Sequence, residues 1–336
     1  IAIALEAVVK LVALLAVGIF VVWGVAGGIG DVINRIETSP MADWPLDPGR
    51  WAGLTFLSAA AVLTLPRMFQ VLVVENSDER HLATASWAFP LYLVLMSLFV
   101  VPIAVVGLQV LPSGTNPDLF VLTLPLAFDR GGLAMLAFLG GFSSATSMVI
   151  VAAIALATMV SNHIVTPLWL SLRQGGARAT GDVRGLVLMS RRLSIVGVMA
   201  LGYLYYSLSS GSEALAAIGL ISFVGAAQVL PAMLGGLFWR GATRVGAALG
   251  LVAGFGVWLY ALFLPSFGEA GVLAPQLLAE GPWGIGWLRP QALFWSDGMD
   301  PLLHALLWSI ALNTLAFVIG SLLSFPGPLE RLQGCL

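Results

Sequence analysis

Long apolar runs, each closed by a short polar stretch, recur from one end of this 336-residue chain to the other. A helix needs about 20 mostly apolar residues to cross a bilayer. Eight stretches meet that length: 2–25, 52–75, 87–110, 142–167, 192–209, 214–238, 244–264 and 302–324, written A to H in that order. They predict an all-α polytopic membrane domain, with no polar block large enough for a second domain. The run 132–170 is too long for one crossing, since at 1.5 Å per residue it would reach about 57 Å. Gly140-Gly141 is the expected joint there, leaving 133–139 as a short outer helix that leads into D.

Composition supports the pattern. Hydrophobic residues make up 59% of the chain and charged residues 10%, where a soluble domain carries about 25% charged residues. Mean hydropathy is +0.97. Cys335 is the only cysteine, which excludes a disulfide framework and a cysteine-based metal site. Net charge is -2, so nothing points to a nucleic-acid partner. The chain starts IAIALEAVV, without Met or a charged leader, and ends LERLQGCL just past a hydrophobic run; it reads as a piece of a longer protein. Orientation follows from the arginines between runs. Arg80, Arg173, Arg178, Arg184, Arg191, Arg192, Arg240, Arg244 and Arg331 fall on one side. Arg35, Arg50, Arg130 and Arg289 fall on the other, with Asp31, Glu37, Asp43 and Asp47. A is therefore expected to begin in the cytoplasm and the C-terminus to return there.

Most of D is what lipid demands, but 142–162 reads FSSATSMVIVAAIALATMVSN and carries Ser143, Ser144, Thr146, Ser147 and Thr158. Ser143, Thr146 and Ser147 stand at i, i+3 and i+4, on one helix face. Grouped hydroxyls can bond back to their own backbone, let helices pack closely, or hold a hard cation through oxygen alone. On the residues alone, packing is the stronger reading. Arg67 follows Pro66 inside run B, where a charge is costly and faces the protein interior or water. Glu75 or Glu6 could pair with it, the Pro66 kink could make it a gate, or it could snorkel to the surface. Pairing ranks first of these. Glu6 and Lys10, four apart, are expected to brace the inner end of A, and Gln70 and Gln228 to form interior hydrogen bonds. His81, His163 and His304 have no metal-site spacing. No glycine-rich nucleotide loop or catalytic arrangement is present in the sequence, so no enzymatic site is assigned. The arginine-rich stretch 173–192 fits binding of anionic lipid headgroups.

Three segments resemble the sodium:solute symporter family. They are LEAVVKLVALLAVGIFVVWGVAGGIGDVI (5–33), LTLPRMFQVLVVENSDERHLATASWAFPLYLVL (63–95) and FSSATSMVIVAAIALATMVSNHIV (142–165). The wording of the last two is closest to the symporter-like membrane domain of CbrA-type sensor histidine kinases. The resemblance implies a LeuT-like bundle of two inverted five-helix repeats, incomplete at its N-terminal side. A would then be the last helix of the first repeat, B to F (about 52–238) the second repeat, and G and H peripheral helices. It further implies a sodium ion held by the carbonyl of Ser143 and the hydroxyls of Thr146 and Ser147, with no organic cofactor. With the resemblance added, this ion reading moves slightly ahead of packing. The implied function is sensing or transport of a small solute, such as an amino acid, in a bacterial inner membrane. Implied partners are fused cytoplasmic PAS and kinase modules with a response regulator. A stand-alone sodium-coupled transporter is the alternative, and a scaffold that has lost the site is a third.

Overall fold

The computed structural model describes residues 2–39, 42, 47–173, 183–208, 215–270, 274–296, 298–325 and 327. Asp43, Arg178, Arg331 and Cys335, named above, lie outside the described residues. Among the described residues there are helices and no strands. In chain order they are α1 (Ala2–Ile19), α2 (Ile29–Glu37), α3 (Pro48–Thr64), α4 (Pro66–Phe69), α5 (Arg80–Ser97), α6 (Val100–Val110), α7 (Phe120–Ala127) and α8 (Gly131–Val160). Then follow α9 (Thr166–Arg173), α10 (Val183–Leu208), α11 (Leu215–Ala227), α12 (Leu230–Phe238), α13 (Arg244–Trp258), α14 (Pro275–Glu280) and α15 (Pro301–Leu323).

Among the described residues, seven helical stretches are long and apolar enough to cross a membrane. These are Leu5–Val25, Arg80–Val110, Gly131–Trp169, Val187–Leu208, Ala216–Phe238, Arg244–Phe267 and Pro301–Leu323. An eighth is made by Pro48–Thr64 and Pro66–Val74, bent by 52° at their junction. All eight apolar runs reappear in place, and the chain is a polytopic, all-α membrane protein.

One expected boundary is absent. α8 runs unbroken through Gly140-Gly141. A Cβ on Gly140 would lie 2.7 Å from the Cβ of Ala13 and 3.4 Å from the Cα of Lys10. Glycine serves a close helix crossing here, and its weak helix propensity, about 1 kcal/mol below alanine, is outweighed by that packing.

By its internal contacts the chain divides into two compact units, one of 1–46 with 72–196 and the other of 47–71 with 197–336. In the first unit α1 packs along α8. Val17, Val21, Val106 and Leu124 form its fully buried centre. The wide turn Phe20–Val25 ends α1, and the chain reverses at Gly27 and Gly28, both at positive φ. Such angles are open to glycine at little cost. The amphipathic α2 follows, where Arg35 donates to the Gln109 side chain at 2.8 Å and Gln109 donates back to the Arg35 carbonyl.

In the second unit α13 lies against α15 over its whole length. Gly246, Gly250 and Gly254 recur every four residues on one face, and a Cβ on any of them would strike Asn313, Phe317 or Ser321. Small residues at this spacing let two backbones approach closely. Two helices of this unit start the same way. Asp47 precedes Pro48 and accepts from the Gly49 and Arg50 amides. Asp300 precedes Pro301 and accepts from Leu302 and Leu303. Aspartate supplies the N-cap and proline fits the first helical position, where no amide donor is needed. Arg50 joins the two starts by an ion pair to Asp300 at 2.8 Å.

Candidate functional site

Two helices of the second unit are interrupted, and both interruptions line one cavity of about 560 Å³. The first lies between α3 and α4. Proline disfavours helical angles at the residue before it, and Leu65 is extended there, with φ -69° and ψ 125°. Pro66 has no amide hydrogen, so the Val62 carbonyl loses its donor one turn on. Thr64, beside it, donates its hydroxyl to the Ala60 carbonyl at 2.8 Å. Backbone polar groups freed inside a membrane protein occur only where they are buried in protein or line a cavity.

The second interruption separates α11 from α12. The Gln228 amide turns to the Gly225 carbonyl and the Val229 amide to Ala226, three-residue bonds in place of helical ones. Pro231 removes a further donor. Gln228, fully buried, then repairs the break with its side chain: its Nε2 donates to the Val224 carbonyl at 3.0 Å and to Ser309 Oγ at 2.8 Å. Asn313 Nδ2 donates to the Gln228 carbonyl at 2.7 Å and to Gln228 Oε1 at 3.2 Å. The interior role expected for Gln228 is thus observed. Sequence reasoning missed Asn313 and Ser309, whose signal is a pair of polar residues four apart, and so on one helix face, inside the apolar run H.

The cavity wall is further built of the aromatics Tyr205, Phe255, Trp258 and Phe263 and the aliphatic Leu201 and Ile218. Trp258 donates its indole N–H to the Ile221 carbonyl at 2.9 Å, and the Tyr205 hydroxyl meets Ser266 Oγ at 3.3 Å. Ser222 lines the cavity and donates to the Ile218 carbonyl. Among the described residues no acid or base lines it. Such a wall recognises shape, aromatic faces and a few hydrogen bonds.

The residues singled out from sequence are placed as follows. On α8, the face turned to α1 carries Ala137 and Gly140, with Ser144 beside the neighbouring cavity. Ser143 and Ser147 are half-buried and Thr146 is exposed. Thr146 donates to the Phe142 carbonyl at 2.8 Å and Ser147 to the Ser144 carbonyl at 3.3 Å. Both protons therefore point at the backbone, and lone pairs remain on both oxygens. Oxygen donors of this kind suit a hard cation, but three fall short of the six or so such an ion takes. Oxygens from outside α8 would have to complete the shell.

Arg67 is half-buried in the first turn of α4, in the second unit. Glu6 and Glu75 belong to the first unit, Glu6 half-buried and Glu75 exposed. The brace expected between Glu6 and Lys10 is not closed. Lys10 Nζ sits 5.9 Å from the centre of the Tyr92 ring, and Glu6 Oε1 is buried without a hydrogen bond. Tyr92 and α1 explain this: the ring lies over the lysine, and its hydroxyl donates to the Ala7 carbonyl at 3.2 Å. His304 is fully buried and accepts the Leu293 amide on Nε2 at 2.9 Å.

No protein-family model, no curated protein and no solved structure matches this chain.

Proposed function

We propose that this chain is a membrane domain that senses or transports a small solute, with the solute held in the second unit's cavity. One observation carries this reading: two separately interrupted, otherwise apolar helices meet at the same cavity. At these interruptions Pro66 and Pro231 leave backbone carbonyls without a helical donor at membrane depth, and interrupted helices are where transporters build solute and ion sites. The aromatic, uncharged wall favours a compact solute with an apolar or aromatic part over a multiply charged one. The resemblance of 5–33, 63–95 and 142–165 to sodium:solute symporters supports the same class and adds two elements. One is a sodium ion on Ser143, Thr146 and Ser147. The other is a signalling role, with cytoplasmic PAS and kinase modules reading the state of the membrane domain, which sits in the bacterial inner membrane with its C-terminal side in the cytoplasm.

Uptake by the full-length protein in proteoliposomes tests this, with a panel of radiolabelled amino acids and other small solutes and an imposed sodium gradient. Transport favours the symporter-like reading. Solute binding without accumulation, together with solute-dependent autophosphorylation, favours the sensor. Neither binding nor transport of any solute in the panel contradicts both.

A further inference from the structure

A second cavity, of about 390 Å³, lies wholly inside the first unit and includes the chain's single lysine. Lys10 stands in the span Leu5–Val25 and is half-buried. An ammonium within a membrane helix is costly, and such a charge normally pairs with an acid or serves a ligand. Glu6, one turn earlier, would be the partner on the same helix. It makes no ion pair with Lys10, and its Oε1 is buried without a hydrogen bond. The ammonium is left with the face of Tyr92, which offsets only part of its lost hydration.

The walls around Lys10 are mostly apolar, with Leu14 from α1, Leu122 from α7 and Phe138 from α8. Ser144 adds a hydroxyl, and Asp118 stands exposed among the lining residues. The space exists because of two glycines. Gly140 brings α8 against Lys10 and Ala13, while Gly141, also on the wall, leaves a gap in which an added Cβ would meet nothing within 4 Å.

We infer that this cavity binds a small organic monocarboxylate, with its carboxylate on Lys10 and Ser144 and its apolar body against Leu14, Leu122 and Phe138. A single cation matches a single negative charge. Asp118, on the same wall, repels any anion, so the ligand carries no more than the one charge that Lys10 answers, which disfavours phosphates and dicarboxylates. The volume accommodates a compact body. Lys10 has four rotatable bonds and reaches a carboxylate by leaving the Tyr92 face, gaining a charge-assisted hydrogen bond in exchange. This inference stands on the first unit alone and does not depend on the second unit's cavity.

The test is binding to the protein purified in lipid nanodiscs, read by isothermal titration and by thermal shift, with acetate, isobutyrate and benzoate as probes. Benzyl alcohol serves as the neutral analogue and palmitate as the lipid-tail analogue. At least one short acid should bind, benzyl alcohol should bind at least tenfold more weakly than benzoate, and palmitate should not compete. Lys10→Gln should weaken binding at least tenfold, and Ser144→Ala several-fold. Gly141→Leu, whose Cβ meets nothing within 4 Å and whose side chain starts from the cavity wall, should abolish binding while leaving the unfolding temperature near that of the wild type. Binding of benzoate unchanged in Lys10→Gln, equal binding of benzyl alcohol, displacement by palmitate, or no binding of any short acid would each overturn the inference.

Discussion

A single added methyl group would meet opposite surroundings at Gly254 and Gly256. A Cβ at Gly254 would sit 2.4 Å from Gln228 Oε1 and 2.5 Å from Asn313 Nδ2, whereas one at Gly256 meets nothing within 4 Å. Both amides are fully buried and held by each other, so neither can swing away. Gly254→Ala should therefore destabilise the protein by about 1–3 kcal/mol, the usual cost of overpacking. Gly256→Ala should be neutral or gain up to about 1 kcal/mol from helix propensity. Thermal unfolding in detergent of the two variants side by side checks this; equal stabilities would mean the knot around Gln228 is loose. On α8 the hydroxyls set a comparable contrast. If sodium sits on Thr146 and Ser147, alanine at either lowers apparent sodium affinity at normal expression, and Thr158→Ala does not. Equal effects at all three positions would favour packing. At this scale the sequence was readable where a polar residue stood alone in an apolar run, as Gln228 does. Lys10 was misassigned to Glu6, because spacing on one helix says nothing of an aromatic ring arriving from another.

The interrupted helices were partly legible. Pro66 marked the first break, and the 52° bend is its consequence. Gln228 and Pro231 carry the second, but run F also reads as one uninterrupted hydrophobic span, and hydropathy has no term for a repaired break. The reverse error occurred at Gly140-Gly141, where glycine was read as a joint. Whether glycine breaks or packs depends on what approaches it, and Ala13 is 127 residues away in the chain. The Pro66 break makes a prediction of its own. Pro66→Ala restores an amide donor and lifts the restriction on Leu65, so α3 and α4 should straighten. Spin labels at Phe56 and Val71, both exposed, would then move apart toward about 22 Å, the length of a straight helix of that many residues. An unchanged distance distribution would show that packing, and not proline, holds the bend.

For the whole molecule, the eight spans were legible because lipid imposes one requirement on every crossing, an apolar length near 20 residues. The division into two units was not, since it joins 47–71 to residues beyond 197, and hydropathy carries no information on which spans associate. The second unit's cavity falls in the same category: it is lined by two breaks that lie about 160 residues apart in sequence. If the proposed function holds, the second unit's cavity is reached from water and filled by solute. Ser222 lines that cavity, and the chain's one cysteine, Cys335, can be replaced by serine. The most direct measurement is labelling of Ser222→Cys, in a Cys335→Ser background, by a membrane-impermeant thiol reagent in sealed vesicles of each orientation. Labelling is expected from at least one face, and at least one solute of the amino-acid panel should slow it. A cysteine at 222 that is labelled from neither face, or whose labelling no solute slows, would contradict the proposed function.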